Sequence, residues 1–326
     1  MPDDTTASPV RPGVDPEIAR VLAALPAFAA LDADTLPLIR PFASAPLDPL
    51  LEGRHVIRRE ETVTTPDGVD LPITVIAPAH SPRPAPAVLW FHGGGMVMGD
   101  RFSQIDIPLD WLDAFGAVVV TVDYRLAPEA KGTTLVDDGY AALVWLTEHA
   151  DELGIDPARV VVAGTSAGGG IAAGVTLLAR DRQAPSIAAQ VLICPMLDHR
   201  NESVSAHQFT APGVWSRESN AFAWNAVLGD ADRDPVSPYV SPAVASDLTG
   251  LPTTYIDAGS AEVFRDEDQQ YAGRIWASGG QAELHVWAGG THGFDAMVPD
   301  AAISRAARAS RTAWLGRVLA EQVTAR

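Results

Sequence analysis

A mainly parallel α/β sheet, covered by helices on both faces, is the fold class this sequence predicts. Apolar, β-branched runs recur along the chain, and stretches with helical periodicity separate them. That alternation feeds a parallel sheet, because parallel neighbours must be joined by crossovers. Size agrees: 326 residues, 47% hydrophobic and 20% charged, can bury one large core and carry an accessory element.

The first strand signal is an apolar/polar alternation around residues 55–63, which suits a half-exposed strand. "LPITVIAP", "PAVLWFH", "AVVVTVDY", "VVVAG", "QVLICP", "TTYIDAG" and "ELHVWAG" follow, several of them solidly apolar, as strands covered on both faces should be. The helix in "TTLVDDGYAALVWLTEHADEL" places Leu135, Tyr140, Leu143, Val144 and Leu146 on one apolar stripe. "AGGGIAAGVTLLARD" and "RDEDQQYAGRIWASGG" read as further helices, and "AAISRAARASRTAWLGRVLAEQV" closes the chain with another.

Two regions break the alternation. Residues 1–50 read as short helices ahead of the sheet. Residues 199–250 read as an insertion, with a helix in "SRESNAFAWNAVLGD" and a Pro/Ser-rich exit. Long insertions in a compact domain often cover sites, so both are read as one cap. The expected division is 1–50 cap, 51–198 core, 199–250 cap insertion and 251–326 core again.

A formal net charge of −18, without Lys/Arg clusters, argues against nucleic acid and against an anionic membrane surface. The N-terminus is acidic and lacks the apolar stretch of a signal peptide. No apolar run approaches the ~18 residues a membrane-spanning helix needs. Cys194 is the single cysteine and is read as a buried strand-end thiol; a cytoplasmic setting is expected. No metal-ligand spacing stands out, so no metal is expected. A homodimer is left open.

The chemistry gathers at "VVVAGTSAGGG", Val160–Gly170, where four apolar residues run into a serine crowded by glycines. Gly164-Thr165-Ser166-Ala167-Gly168 matches G-x-S-x-G between a strand and a helix, the setting of a nucleophile on a sharp turn. A phosphate cradle would require a lysine after the glycines, and none follows. Upstream, "LWFHGGGMVMGD" carries His92 and Gly93–Gly95 directly after a strand. Fixed backbone N–H groups there would stabilise an oxyanion, with Gly93 and Gly94 as expected donors and Ala167 as a third. His92 reads as a structural holder of the loop. Of the eight histidines, His292 in "AGGTHGFDAM" follows the last strand on a glycine-flanked loop, where a general base can reach the carboxyl edge of the sheet.

"HGGG", "DYRLAPE", "GTSAGG", "PMLDHR", "RDE" and "HGF" together resemble the hormone-sensitive-lipase-like family of α/β-hydrolases, the bacterial family IV carboxylesterases, over roughly residues 55–320. The resemblance implies an α/β-hydrolase fold: a mostly parallel eight-stranded sheet with helices on both faces and a helical cap. It also implies a serine mechanism on small ester substrates of short to medium acyl chain, without a cofactor. "AKGTTLVDD" departs from the proline-rich stretch usual after the family's "YRLAPE", which is read as altered loop packing. The family's acid is usually Asp, and the matching position here carries Glu262, an accepted third member of such triads. Among nearby carboxylates, Asp257 falls inside a strand, and Asp266, Glu267 and Asp268 fall in the first turn of a helix; Asp266 is the runner-up. Phe209, Trp215, Phe222 and Trp224 in the cap insertion are candidate pocket walls. An amidase or lactonase on the same machinery remains open, as does a non-catalytic binder of this fold, although binders similar to this family have lost the histidine and His292 is present here.

Overall fold

The structure, a computed structural model, describes residues 10–26, 29–44, 46–80, 84–229 and 235–324. The first nine residues of the acidic N-terminus, and residues 230–234 at the end of the expected cap helix and the start of its exit, lie outside the described residues.

Short helices come first: α1 Pro16–Leu22, α2 Leu36–Ile39 and α3 Asp48–Leu51. The sheet then runs β1 Val56–Thr64, β2 Asp70–Pro78 and β3 Ala85–Phe91, then β4 Val118–Val122 after helix α4 Asp106–Phe115. Helices α5 Thr134–Glu148 and α6 Ala150–Leu153 lead to β5 Ile155–Thr165, and α7 Ala167–Arg182 leads to β6 Ala189–Ile193. Helices α8 Val204–Gln208 and α9 Arg217–Leu228 precede β7 Thr253–Ala261. Helix α10 Arg265–Ala277, strand β8 Ala282–Thr291, and helices α11 Phe294–Met297 and α12 Ala302–Thr324 complete the chain. The spatial strand order is β1-β2-β4-β3-β5-β6-β7-β8. β2 is antiparallel to both its neighbours, and β3 to β8 are parallel.

Period-two alternation within solidly apolar strands explains the two covered faces. In β3, Leu89 and Phe91 join the core under α5, α7 and α10, while Val88 and Trp90 join the opposite core with Trp111 of α4 and Trp314 of α12. β1 at the edge carries Arg58, Arg59, Glu60 and Glu61, charges that discourage pairing with another chain.

The stripe on α5 is rotated from the expected one. Leu135, Leu143 and Leu146 are buried as expected, but Val136, Asp138, Gly139 and Ala142 complete the buried face. Tyr140 and Val144 sit half-buried at its margin, and the Tyr140 hydroxyl donates to Ala184 O at 2.7 Å. A phenol that must satisfy its O–H moves to the rim of an apolar face. The N-terminal segment meets the 199–250 region directly: Leu31 N donates to Ser219 Oγ at 2.9 Å, and Gln208 Nε2 to Val10 O at 2.7 Å.

Candidate active site

β5 ends at Thr165 and α7 begins at Ala167, leaving Ser166 alone in the turn with φ 55° and ψ −122°. A non-glycine residue in such a region costs about 1–3 kcal/mol and persists only where its surroundings over-determine it. They do so here. Ser166 N donates to Ile193 O at 2.7 Å, and Ser166 O accepts from Met196 N at 2.9 Å and Gly170 N at 3.1 Å. The crowd of glycines has a steric cause. A Cβ on Gly164 would run into the Gly168 carbonyl, and one on Gly168 into the carbonyls of Phe91 and His92.

Three side chains from separate loops meet at this turn. Ser166 Oγ lies 2.9 Å from His292 Nε2, and His292 Nδ1 lies 2.6 Å from Glu262 Oε2. The other Glu262 oxygen, Oε1, accepts the Gly259 amide at 2.7 Å. A carboxylate facing Nδ1 selects the tautomer in which Nδ1–H donates to it, which frees Nε2 to accept the serine proton. Glu262 is 1% exposed, Ser166 7% and His292 9%, so water screens the array poorly. The Phe264 ring stands edge-on to the imidazole with centroids 5.1 Å apart. Asp266 is engaged elsewhere: its oxygens accept Arg265 Nε at 2.7 Å and Ser205 N at 2.8 Å, tying α10 to α8. Asp257 is in β7 and pairs with the buried Arg311, accepting Nε at 2.8 Å and Nη2 at 3.2 Å.

The glycine loop corrects one expectation. The Gly93 amide donates to Gln104 Oε1 at 2.9 Å and is therefore occupied. Among the described residues, the amides of Gly94, Gly95 and Ala167 carry no acceptor. Gly94 adopts φ +121°, and its carbonyl accepts from Val97 N and Met98 N, both at 3.1 Å. His92 is fully buried and stacks on Tyr124 with centroids 4.3 Å apart; its Nδ1 lies 2.7 Å from Gly93 O. Burial lowers its pKa, so the ring is neutral and Nδ1–H donates to that carbonyl.

A cavity of about 190 Å³ opens over His292, and Phe209 and Trp215 form part of its wall. Phe222 and Trp224 do not line it. They lie on α9, which turns Ala223, Trp224 and Val227 to the core, and Trp224 meets His199 edge-on at 6.3 Å. Two larger cavities, of about 600 and 660 Å³, are lined by none of Ser166, Glu262, His292 or the glycine-loop residues.

Four further features were not foreseen. Gln104 lies outside every motif, and nothing local marks it. Cys194 is a buried strand-end thiol as expected, but its sulfur, a Glu262 oxygen and a His292 nitrogen lie within 4.8 Å of one another. Burial pushes the thiol well above its ordinary pKa, which keeps it protonated beside Glu262 and His292. Asp268 is fully buried behind this group, and neither of its oxygens has a hydrogen-bond partner among the described residues. Its signal was available, since Asp268, Tyr271, Ala272 and Ile275 follow the i, i+3, i+4, i+7 spacing of a buried stripe. Arg311 on α12 joins Asp257 to Asp295, three residues beyond His292, and so links the strand before Glu262 to the loop that carries the histidine.

A mostly parallel eight-stranded sheet, with a strained serine at a strand–helix turn and a histidine and carboxylate on loops after its last two strands, defines an α/β hydrolase. A family model described as alpha/beta hydrolase fold matches residues 88–296, and the chain belongs to that family. It is 32% identical over 300 residues to the esterase LipI of Mycobacterium tuberculosis, covering 90% of this chain and 92% of that one. It is 35% identical over 235 residues to the carboxylic ester hydrolase LipN of the same organism, covering 67% of this chain but only 60% of LipN. The structure of a bacterial heroin esterase superposes with a TM-score of 0.84 at 36% identity, covering 94% of this chain and 98% of that one. The expected hormone-sensitive-lipase-like membership and fold are borne out. Among the described residues, no helix is long and apolar enough to cross a membrane.

Proposed function

We propose that this chain hydrolyses small carboxylic esters through an acyl-enzyme, with Ser166 as nucleophile, His292 as general base and acid, and Glu262 as the triad acid. The observation that carries the reading is the unbroken chain of contacts from Ser166 Oγ to His292 Nε2 (2.9 Å) and from His292 Nδ1 to Glu262 Oε2 (2.6 Å). As Ser166 Oγ attacks the ester carbonyl, Nε2 takes its proton, and Glu262 stabilises the imidazolium that forms. The carbonyl oxygen becomes an oxyanion in front of the three free amides of Gly94, Gly95 and Ala167, two from the glycine loop and one from the first turn of α7. Gly95 thus takes the place expected of Gly93. His292 then gives the proton to the leaving alkoxide, and water releases the acid by the same steps in reverse.

The test is a fluorophosphonate label with mapping of the modified residue, alongside hydrolysis of para-nitrophenyl esters of rising acyl length. Ser166→Ala should lose the label and at least about 10⁴-fold in kcat while keeping its fold, as triad serines do elsewhere. Substantial turnover by purified Ser166→Ala would remove Ser166 from the role.

A further inference from the structure

The cavity over His292 has one charged group at its rim that no catalytic role uses. Arg11, Val14 and Leu22 from the N-terminal segment line it together with Phe209 and Trp215. The backbone around Arg11 is anchored on both sides. Val10 O accepts from Gln208 Nε2 at 2.7 Å, and Asp15 N donates to Gly289 O at 2.9 Å. Gln208 is itself held, its Oε1 accepting Arg265 Nη2 at 3.0 Å. The Arg11 guanidinium lies over the Phe209 ring, 5.7 Å from the centroid.

Among the described residues, no carboxylate pairs with Arg11. By contrast, Arg217 of the cap insertion pairs with Glu202 at 2.7 Å, and Arg265 at the start of α10 pairs with Asp266 at 2.7 Å. What sets Arg11 apart is its place: it is the one basic side chain in the described lining of this cavity besides His292. Glu262 is the one carboxyl group in the lining, and His292 occupies it. The rest of the wall is largely apolar. A largely apolar cavity with one cation at its rim fits a ligand with an apolar body and an anionic end, because the few polar groups of a pocket set the ligand's orientation. An arginine stacked on an aromatic face keeps its fork of N–H donors free for a carboxylate.

We propose that Arg11 is a specificity-determining residue that recruits esters carrying a carboxylate, such as half-esters of short dicarboxylic acids or esters of short hydroxy acids. The proposal rests on the hydrolase reading above. The Arg11 guanidinium pairs with the substrate carboxylate, and the scissile carbonyl is held at Ser166. Because Arg11 touches no reacting atom, its contribution falls on KM and on salt sensitivity, and kcat is spared.

The experiment compares kcat/KM for matched ester pairs in wild type, Arg11→Gln and Arg11→Lys. In the acyl arm, mono-para-nitrophenyl glutarate is set against its uncharged isostere with an isopropyl group in place of the carboxylate. In the alcohol arm, butyryloxyacetic acid is set against its methyl ester. In at least one arm, Arg11→Gln should lower the anionic-over-neutral ratio about tenfold, through KM, which is the scale of one charge-assisted hydrogen bond near a surface. Arg11→Lys should recover part of it. Added salt should raise KM for the anionic ester in wild type and not in Arg11→Gln. The responding arm identifies the side of the scissile bond that bears the charge. Turnover of neutral esters with a ratio indifferent to Arg11 in both arms overturns this proposal alone. Failure of wild type to turn over any of the esters overturns the hydrolase reading and this proposal with it.

Discussion

Replacing Glu262 by glutamine separates its charge from its shape. In wild type the two oxygens do different work: Oε1 accepts the Gly259 amide at 2.7 Å, and Oε2 faces His292 Nδ1 at 2.6 Å. A glutamine can keep only one of these contacts as an acceptor. If its oxygen stays on Gly259, its NH₂ points at Nδ1 and selects the tautomer with the proton on Nε2, which cannot take the proton of Ser166. If it flips, the NH₂ meets the Gly259 N–H, and two buried donors are left facing each other, at a cost of about 1–3 kcal/mol. The first orientation therefore wins, and it holds the base in its inactive form. The same exchange in a serine protease triad costs about 10⁴-fold in kcat, or about 5 kcal/mol at 1.36 kcal/mol per decade. Glu262→Gln should lose about 10³–10⁴-fold in kcat for a short para-nitrophenyl ester, with KM and melting temperature little changed. Asp266→Asn is the control. It weakens the contacts to Ser205 N and Arg265 Nε, so it should lower Tm by about 2–4 °C and leave kcat within a factor of a few. Retention of kcat within about tenfold by Glu262→Gln, with a large loss in Asp266→Asn, would move the acid to Asp266 and refute the argument.

Two further outcomes follow from the same geometry. Gly94→Ala should lower kcat about 10²–10³-fold with little change in KM, because its methyl group would meet the Met98 carbonyl at a φ of +121° and displace the loop amides. Gly93→Ala meets Gln104 Oε1 and Thr165 O at 3.2 Å without a positive φ, so its effect should be much smaller; equal losses in steady-state kcat would undo the distinction between occupied and free amides. Asp268 should make stability fall with pH. Burial raises its folded pKa well above the unfolded value, with Glu267 and Glu262 adding to it, so the native state holds the proton through the intervening range and loses ground to the unfolded chain as pH rises. Asp268→Asn should therefore gain in Tm relative to wild type as pH rises above the unfolded carboxylate value, by about 1–2 °C for each kcal/mol relieved in a chain of this length; a pH-independent difference in thermal melts would contradict this.

Much of the molecule was legible because its signals are local. Solid apolar runs such as "PAVLWFH" and "VVVAG" became β3 and β5, buried on both faces. The turn at Ser166 is written in Gly164 and Gly168, whose backbones approach so closely that no side chain fits. Glu262 and His292 were legible as residues one step past β7 and β8, since loops at the carboxyl ends of parallel strands converge on one edge.

What escaped the sequence depends on contacts made at a distance. Which glycine amide stays free is decided by Gln104, eleven residues downstream of Gly93 and adjacent to it only after β3 and α4 are placed. The four cap aromatics look alike in sequence; α9 turns Trp224 to the core, whereas Phe209 and Trp215, which precede that helix, line the cavity. The first-turn carboxylates of α10 invited a helix-dipole reading. Yet Glu267 is buried and accepts Leu197 N at 2.8 Å, and Asp268 is buried with no partner among the described residues. Position in a helix alone could not separate solvated charges from these. The buried spacing Asp268-Tyr271-Ala272-Ile275 could, because an acid on an apolar stripe must be neutral, paired or costly. Such an acid sits directly behind the proposed triad, where a buried charge would compete with Glu262 for the imidazolium. Burial favours the protonated form of Asp268, which keeps a second charge away from Glu262 and His292.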